Sequence, residues 1–128
     1  MVLDASVLVA VHTGELGSEV LLRKIAGAPV VLVGAPTVME ATMVLVGRKG
    51  DSALMQLEHG LRRMKAQIVS FTEEHYTVAA LAFLRFGKGR HAAALNFGDC
   101  MAYAVASVSG LPLLYTGKDF SRTDIQAA

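Results

Sequence analysis

Asp99 ends the run Leu95–Asn96–Phe97–Gly98–Asp99, just after a cationic loop that carries Lys88, Arg90 and His91. A carboxylate beside a basic loop suits a site that holds a metal ion and handles a polyanion. Three more acids stand where apolar segments give out. Asp4 follows Met1–Leu3, Glu40 follows Pro36–Thr37, and Asp119 follows Leu113–Tyr115. Oxygen donors without His or Cys companions favour Mg²⁺ or Mn²⁺ over Zn²⁺. Such an ion activates water and offsets phosphate charge, the two requirements of phosphodiester hydrolysis. Gathering the acids without an ion is costly. Two carboxylates about 5 Å apart repel by roughly 3 kcal/mol at an effective dielectric of about 20.

The elements that must bring the acids together follow from the hydrophobic pattern. Met1–Leu3 predicts a short buried strand ending at Asp4, and Ser6 to about Val11 a short helix. Ser18 opens a helical segment that stops near Gly27–Pro29. Val30–Val33 is β-branched and unbroken, as a buried parallel strand requires. Thr37-Val38-Met39-Glu40 has capping-box spacing, which puts Glu40 in the first turn of a helix running to Gly47 or Lys49. Asp51 opens another helix, through Leu54, Leu57, Leu61 and Met64. Gln67–Phe71 reads as a third strand, and Thr72 caps a helix from Glu73 to Phe86. A helix from Asp99 to Ser109 is closed by Gly110 and Pro112. Leu113–Tyr115 is a fourth strand, and Ile125 belongs to a last edge strand.

This alternation predicts one three-layer α/β/α domain over residues 1–128, with a mainly parallel sheet of four to five strands. Right-handed crossovers put the C-terminal ends of parallel strands at one edge. Asp4, Glu40 and Asp119 follow strands, and a helix antiparallel to the strands starts at the same edge, so Asp99 joins them.

Each acid also has a plainer role. Glu40 is the far half of a capping box, Asp99 sits three residues after a possible Asn96 cap, and Asp119 reads as a turn residue. Asp4 has no evident structural purpose in this pattern. Asp124 lies in a polar tail and reads as a solvated residue or a cap. Ser6 is placed to hydrogen-bond Asp4 or to cap a helix. Asn96 divides between substrate contact and an N-cap. Lys88, Arg90, His91 and Lys118 are candidate phosphate contacts or simply solvated cations. His12, His59 and His75 lack ligand spacing. Cys100, Tyr103 and the methionines read as core.

Composition sets the frame. The 128 residues are 53% hydrophobic, enough for one well-packed domain. That share is high for so small a surface, and a buried homo-oligomer face would explain it. Net charge is +1, but with four acids drawn into a site the other seven of eleven would face twelve Lys and Arg. A single cysteine excludes an internal disulfide and fits a reducing cytoplasm. The N-terminus lacks a basic n-region, and no apolar run approaches the roughly 20 residues of a membrane span.

Taken together, Met-Val-Leu-Asp4-Ala-Ser6, Pro-Thr-Val-Met-Glu40, Asn-Phe-Gly-Asp99-Cys and Leu-Leu-Tyr-Thr-Gly-Lys-Asp119-Phe resemble the PIN-domain ribonucleases. Within them the likeness is to the VapC toxins of type II toxin–antitoxin systems. The Gly87–Cys100 segment and the final Gly-Lys-Asp-Phe…Thr-Asp-Ile look like a mycobacterial-type subgroup. The match runs in order over essentially the whole chain. One departure is Ala5, where many relatives carry Thr. The resemblance implies a Mg²⁺- or Mn²⁺-dependent endoribonuclease that cuts tRNA or ribosomal RNA and arrests translation. It also implies a homodimer, and a VapB antitoxin whose C-terminal segment lies in or over the active site. Carried over by position, Asp4, Glu40, Asp99 and Asp119 form the acidic quartet. Asp4 and Asp99 would hold the main ion, Glu40 and Asp119 would act through water or on a second ion, and Ser6 is the hydroxyl beside them. Two other readings compete: a PIN-like module that binds RNA or protein without cutting, and a phosphatase or receiver-like domain using Asp4.

Overall fold

A computed structural model describes residues 1–128. The elements run β1 (Val2–Leu3), α1 (Ala5–Thr13), α2 (Ser18–Ala26), β2 (Leu32–Gly34), α3 (Ala35–Lys49), α4 (Ser52–Arg63), β3 (Gln67–Val69), α5 (Glu73–Phe86), α6 (Phe97–Ser109) and β4 (Leu113–Leu114), then a 3₁₀ turn at Phe120–Arg122. The four strands form one parallel sheet in the order β3-β2-β1-β4.

The strands are short, and each side chain goes to one layer or the other. Val2 and Leu113 enter a core shared with α5 and α6, while Leu3 and Leu114 enter a core shared with α1, α3 and α4. This period-two alternation makes the three layers. No single helix is long and apolar enough to cross a membrane.

Several expectations needed correction. The second strand is Leu32–Gly34 rather than Val30–Val33, because its ladder is set by β1: Leu32 N–H donates to the Met1 carbonyl at 2.9 Å. Val30 lies outside the strand and is 40% exposed. The third strand stops at Val69, and Ile68 on this edge strand is exposed. The last edge pairing falls at Ala127, a parallel bridge to Leu113, and not at Ile125.

The start of α3 also differs. Its N-cap is Gly34, with Pro36 in the first turn. Proline fixes a helical φ where its missing N–H costs nothing, so it starts the helix before Thr37 can cap it. Thr37 is buried instead, and its hydroxyl has no partner. Met39, Met43 and Met55 are exposed, against the expectation that the methionines were core.

Candidate active site

Asp4 leaves β1 and is the N-cap of α1, in extended conformation at φ −82° and ψ 159°. Its Oδ2 accepts from Ser6 N–H at 3.0 Å and from the Ser6 hydroxyl at 2.5 Å. Asp4 therefore has a structural purpose that the sequence reading had not credited. Only 5% of it is exposed. Burial pushes its carboxyl above the ordinary value, Asp119 adds to the rise, and the Ser6 hydrogen bonds oppose it. The Ser6 oxygen also accepts from Thr116 N–H at 3.0 Å. One hydroxyl thus ties Asp4 to the loop that leaves β4 and carries Asp119.

Glu40 lies in the second turn of α3, not the first, because the helix begins at Ala35. It is half-buried and accepts no hydrogen bond from the protein. Burial, then Asp4, then Asp99 raise its carboxyl. The carboxylate rests against Gly98 in the first turn of α6.

Asp99 is the third residue of α6 and completes a capping box with Asn96. Its Oδ2 accepts from Asn96 N–H at 2.8 Å, and Asn96 Oδ1 accepts from Asp99 N–H at 2.9 Å. The Asn96 backbone N–H orients the Asp99 carboxylate, and the Asn96 side-chain oxygen caps the helix. Burial raises the Asp99 carboxyl, the Asn96 hydrogen bond offsets part of this, and Asp4 and Asp119 raise it further.

Asp119 is exposed just before the 3₁₀ turn, which buried Phe120 anchors against Tyr115 with ring centroids 5.1 Å apart. The acids come from four separate segments, and charge links them: Asp119 acts on Asp4 and Asp99, and Asp4 and Asp99 act on Glu40.

None of the four has a cationic partner. The ion pairs are elsewhere, at Arg48–Glu15, Arg62–Glu58 and Arg85–Asp124. No three His, Cys, Asp or Glu side chains stand close enough together to grip one ion by themselves. The acids thus share a neighbourhood without forming a finished cage. That fits Mg²⁺, which keeps several waters and is usually bound through one or two carboxylates. The donor set is all oxygen, and the missing Cβ at Gly98 leaves the room that Glu40 fills.

The basic loop sits next to this edge. A bridge between Gly87 and Leu95 closes its base, one residue before Asn96. Lys88, Arg90 and His91 are exposed. The Arg90 guanidinium stands 5.5 Å from the Phe83 ring centroid, and His91 packs edge-on against Phe86. Arg122, which the sequence reading did not single out, donates from Nη1 to the Ala92 carbonyl at 2.8 Å and straps the 3₁₀ turn to this loop. Lys118 is exposed beside Asp119.

The remaining candidates fall outside the site. Asp124 accepts from the Tyr103 hydroxyl at 2.6 Å and pairs with Arg85 at 3.0 Å. Cys100 is buried in the core, and burial together with Asp99 pushes its thiol up to about 11, so it is no nucleophile. His75 is buried and completes the Thr72 cap, and His12 Nδ1 donates to the Leu8 carbonyl at 2.7 Å. A cleft of about 970 Å³ contains His12 and His59 but none of the four acids.

Sequence reasoning missed Gly98, Arg122 and the Thr116 amide. Only Gly98 left a sign. A glycine inside a helix costs about 0.5–1 kcal/mol relative to alanine, and its presence there asks for a packing reason.

The PIN domain family model matches residues 1–126. Ribonuclease VapC36 of Mycobacterium tuberculosis is 44% identical over 127 residues, covering 98% of this chain and 91% of the relative. Ribonuclease VapC of Mycolicibacterium smegmatis is 40% identical over 127 residues, covering 99% and 98%. Among solved structures, the Mycobacterium tuberculosis sarcin-ricin loop cleaving toxin VapC20 superposes with a TM-score of 0.79 at 18% identity. That match covers 99% of this chain and 97% of the other, and it speaks to the fold alone.

Proposed function

The chain belongs to the PIN domain family and is a ribonuclease of the VapC type, and from that premise we propose how its residues do the work. Asp4, Glu40, Asp99 and Asp119 form the catalytic quartet of an endoribonuclease, the toxin of a toxin–antitoxin pair. The observation that carries this reading is a set of carboxylates from four segments, in which Asp4, Glu40 and Asp99 are each raised by other acids of the set and none is paired with a protein cation.

Ribonucleases of this family depend on a divalent metal, and Mg²⁺ or Mn²⁺ is the ion we assign here. Asp4 and Asp99 would hold it, with Glu40 and Asp119 reaching it through water or holding a second ion. When bound, the ion acidifies water and offsets charge on the phosphate. The chain's own residues do the rest. Ser6 and the Asn96 amide fix one oxygen of Asp4 and of Asp99, respectively, leaving the other oxygen of each unbonded by these partners. Glu40, with both oxygens free of protein hydrogen bonds, orients the attacking water and takes its proton. The water oxygen bonds to phosphorus as the P–O3′ bond breaks, and the departing 3′-oxygen is protonated from solvent. The products are a 5′-phosphate and a 3′-hydroxyl.

Lys88, Arg90, His91 and Lys118 would hold the RNA backbone beside this edge. The RNA is tRNA or ribosomal RNA in the cytoplasm, and its cleavage stops translation. A VapB-type antitoxin is the partner, and its C-terminal segment would lie in or over the acidic edge. Exposed Met39, Met43, Leu54 and Met55 on α3 and α4 support a homodimer through those helices.

A silent binding module is disfavoured, because the unpaired, raised carboxyls of Asp4, Glu40 and Asp99 destabilise a domain that never takes up an ion. A phospho-acceptor role for Asp4 is disfavoured by its burial and its commitment to Ser6. The test is RNA cleavage with Mn²⁺, with and without EDTA. EDTA and Asp4→Asn should each abolish cutting, the variant by at least about a hundredfold. Wild-type rates in either case would sink the assignment.

A further inference from the structure

Gly98 has a role that its place in a helix does not explain. It lies between Phe97 and Asp99 in the first turn of α6, where alanine would serve the helix better. Its φ is not positive, so no left-handed conformation demands glycine. A Cβ built there would overlap the Glu40 carboxylate, with all three of its nearest neighbours being Glu40 atoms. The obstructed group is the free end of a flexible side chain. The carboxylate would yield to a Cβ, and the fold would not.

We propose that Gly98 is a positioning residue: its missing side chain is what lets Glu40 of α3 stand beside Asp99 of α6. This rests on the reading of Glu40 and Asp99 as parts of one metal site. The three atoms nearest to a Cβ at this position all belong to the Glu40 side chain, so its effect passes through Glu40. The same substitution that strengthens the helix therefore damages the site.

The experiment compares Gly98→Ala with wild type in the metal-free and Mn²⁺-titrated states. Gly47→Ala is the control, because Gly47 is also inside a helix and a Cβ there meets nothing within 4 Å. Both variants should melt at or above the wild-type temperature without metal. Calorimetric Mn²⁺ affinity should fall at least tenfold in Gly98→Ala and stay unchanged in Gly47→Ala. In a Glu40→Gln background, Gly98→Ala should cause little further loss, because the group it displaces has already been disabled. Cleavage by Gly98→Ala should recover in part at high Mn²⁺. Gly98→Ser, which carries the same Cβ, should repeat the loss.

Unchanged Mn²⁺ affinity in both Gly98 variants would overturn the proposal, as would an equal loss with or without Glu40. Failure to fold in both would overturn it too, since it holds that the carboxylate yields. If wild type itself binds no Mn²⁺, the underlying reading has failed, and that outcome is visible before any variant is made.

Discussion

At the residue scale, Asp4 carries two duties that pull on its charge in opposite directions. As the cap of α1 it uses a hydrogen-bonded carboxylate oxygen, yet burial and its acidic neighbours make that carboxylate unwelcome. The sign of the pH dependence follows. Asp4, Glu40 and Asp99 all have raised folded-state values. Between the ordinary aspartate value of 3.8 and the raised one, the folded chain holds a proton that the unfolded chain has released. This group's contribution to metal-free stability is therefore highest below about pH 4 and is lost as pH rises through the folded value. Asp4→Asn keeps a capping side chain and removes the charge. In EDTA at pH 7 it should melt higher than wild type by an amount on the order of 1 kcal/mol, roughly 3–5 °C for a chain of this length. Its melting temperature should also vary less between pH 4 and 7. A scanning calorimetry series checks both; a lower melting temperature at pH 7 would contradict the account. The acids were legible in the sequence because unpaired carboxylates after apolar segments stand out. Their capping roles were only partly legible, since Asp-Ala-Ser and Asn-Phe-Gly-Asp serve equally as helix starts and as sites.

At the element scale, the helix starts aim the chemistry. The Asn96–Asp99 box starts α6 with the carboxylate already oriented, so the cap is present and is compatible with the proposed site role. The error over Thr37 has a clear cause. The spacing to Glu40 fits a capping box, but Pro36 in the first turn starts the helix earlier and turns Thr37 inward. The strand ends were misplaced because hydrophobicity marks burial, whereas β2 extends only as far as its pairing, with β3 at Leu32–Gly34 and with β1 at Leu32. The basic loop makes its own prediction. It is held by the Gly87–Leu95 bridge and the Arg122 strap, so its cations stand on a fixed base. Each phosphate contact to single-stranded RNA contributes about 0.7 to the slope of log affinity against log salt. Lys88→Ala with Arg90→Ala should reduce that slope by roughly 1.4 if each cation makes one contact, and weaken binding similarly across RNA sequences. Fluorescence anisotropy over a salt series reads it, and an unchanged slope would remove the loop from the RNA path.

At the scale of the whole molecule, a parallel sheet with short strands sends four distant segments to one edge, and this was the most legible feature of all. Topology needs only the order of strands and helices, which survived errors of a few residues at their ends. What lay beyond it was the outer surface. The methionines read as core because hydropathy does not distinguish a domain interior from an exposed face that a partner covers. Met43 is 65% exposed and Met55 69%, and Met43→Glu should convert a dimer to a monomer in sedimentation without lowering the melting temperature of the fold by more than a few degrees. A protein that is monomeric before the change would contradict the dimer face. If a divalent ion held by Asp4 and Asp99 reconciles these acids, anomalous diffraction from a crystal grown with Mn²⁺ shows it most directly. A peak is expected within ligand distance of Asp4 and Asp99, and it should disappear in Asp4→Asn. A peak elsewhere, or none at this edge in a protein that still cleaves RNA in those conditions, would contradict it.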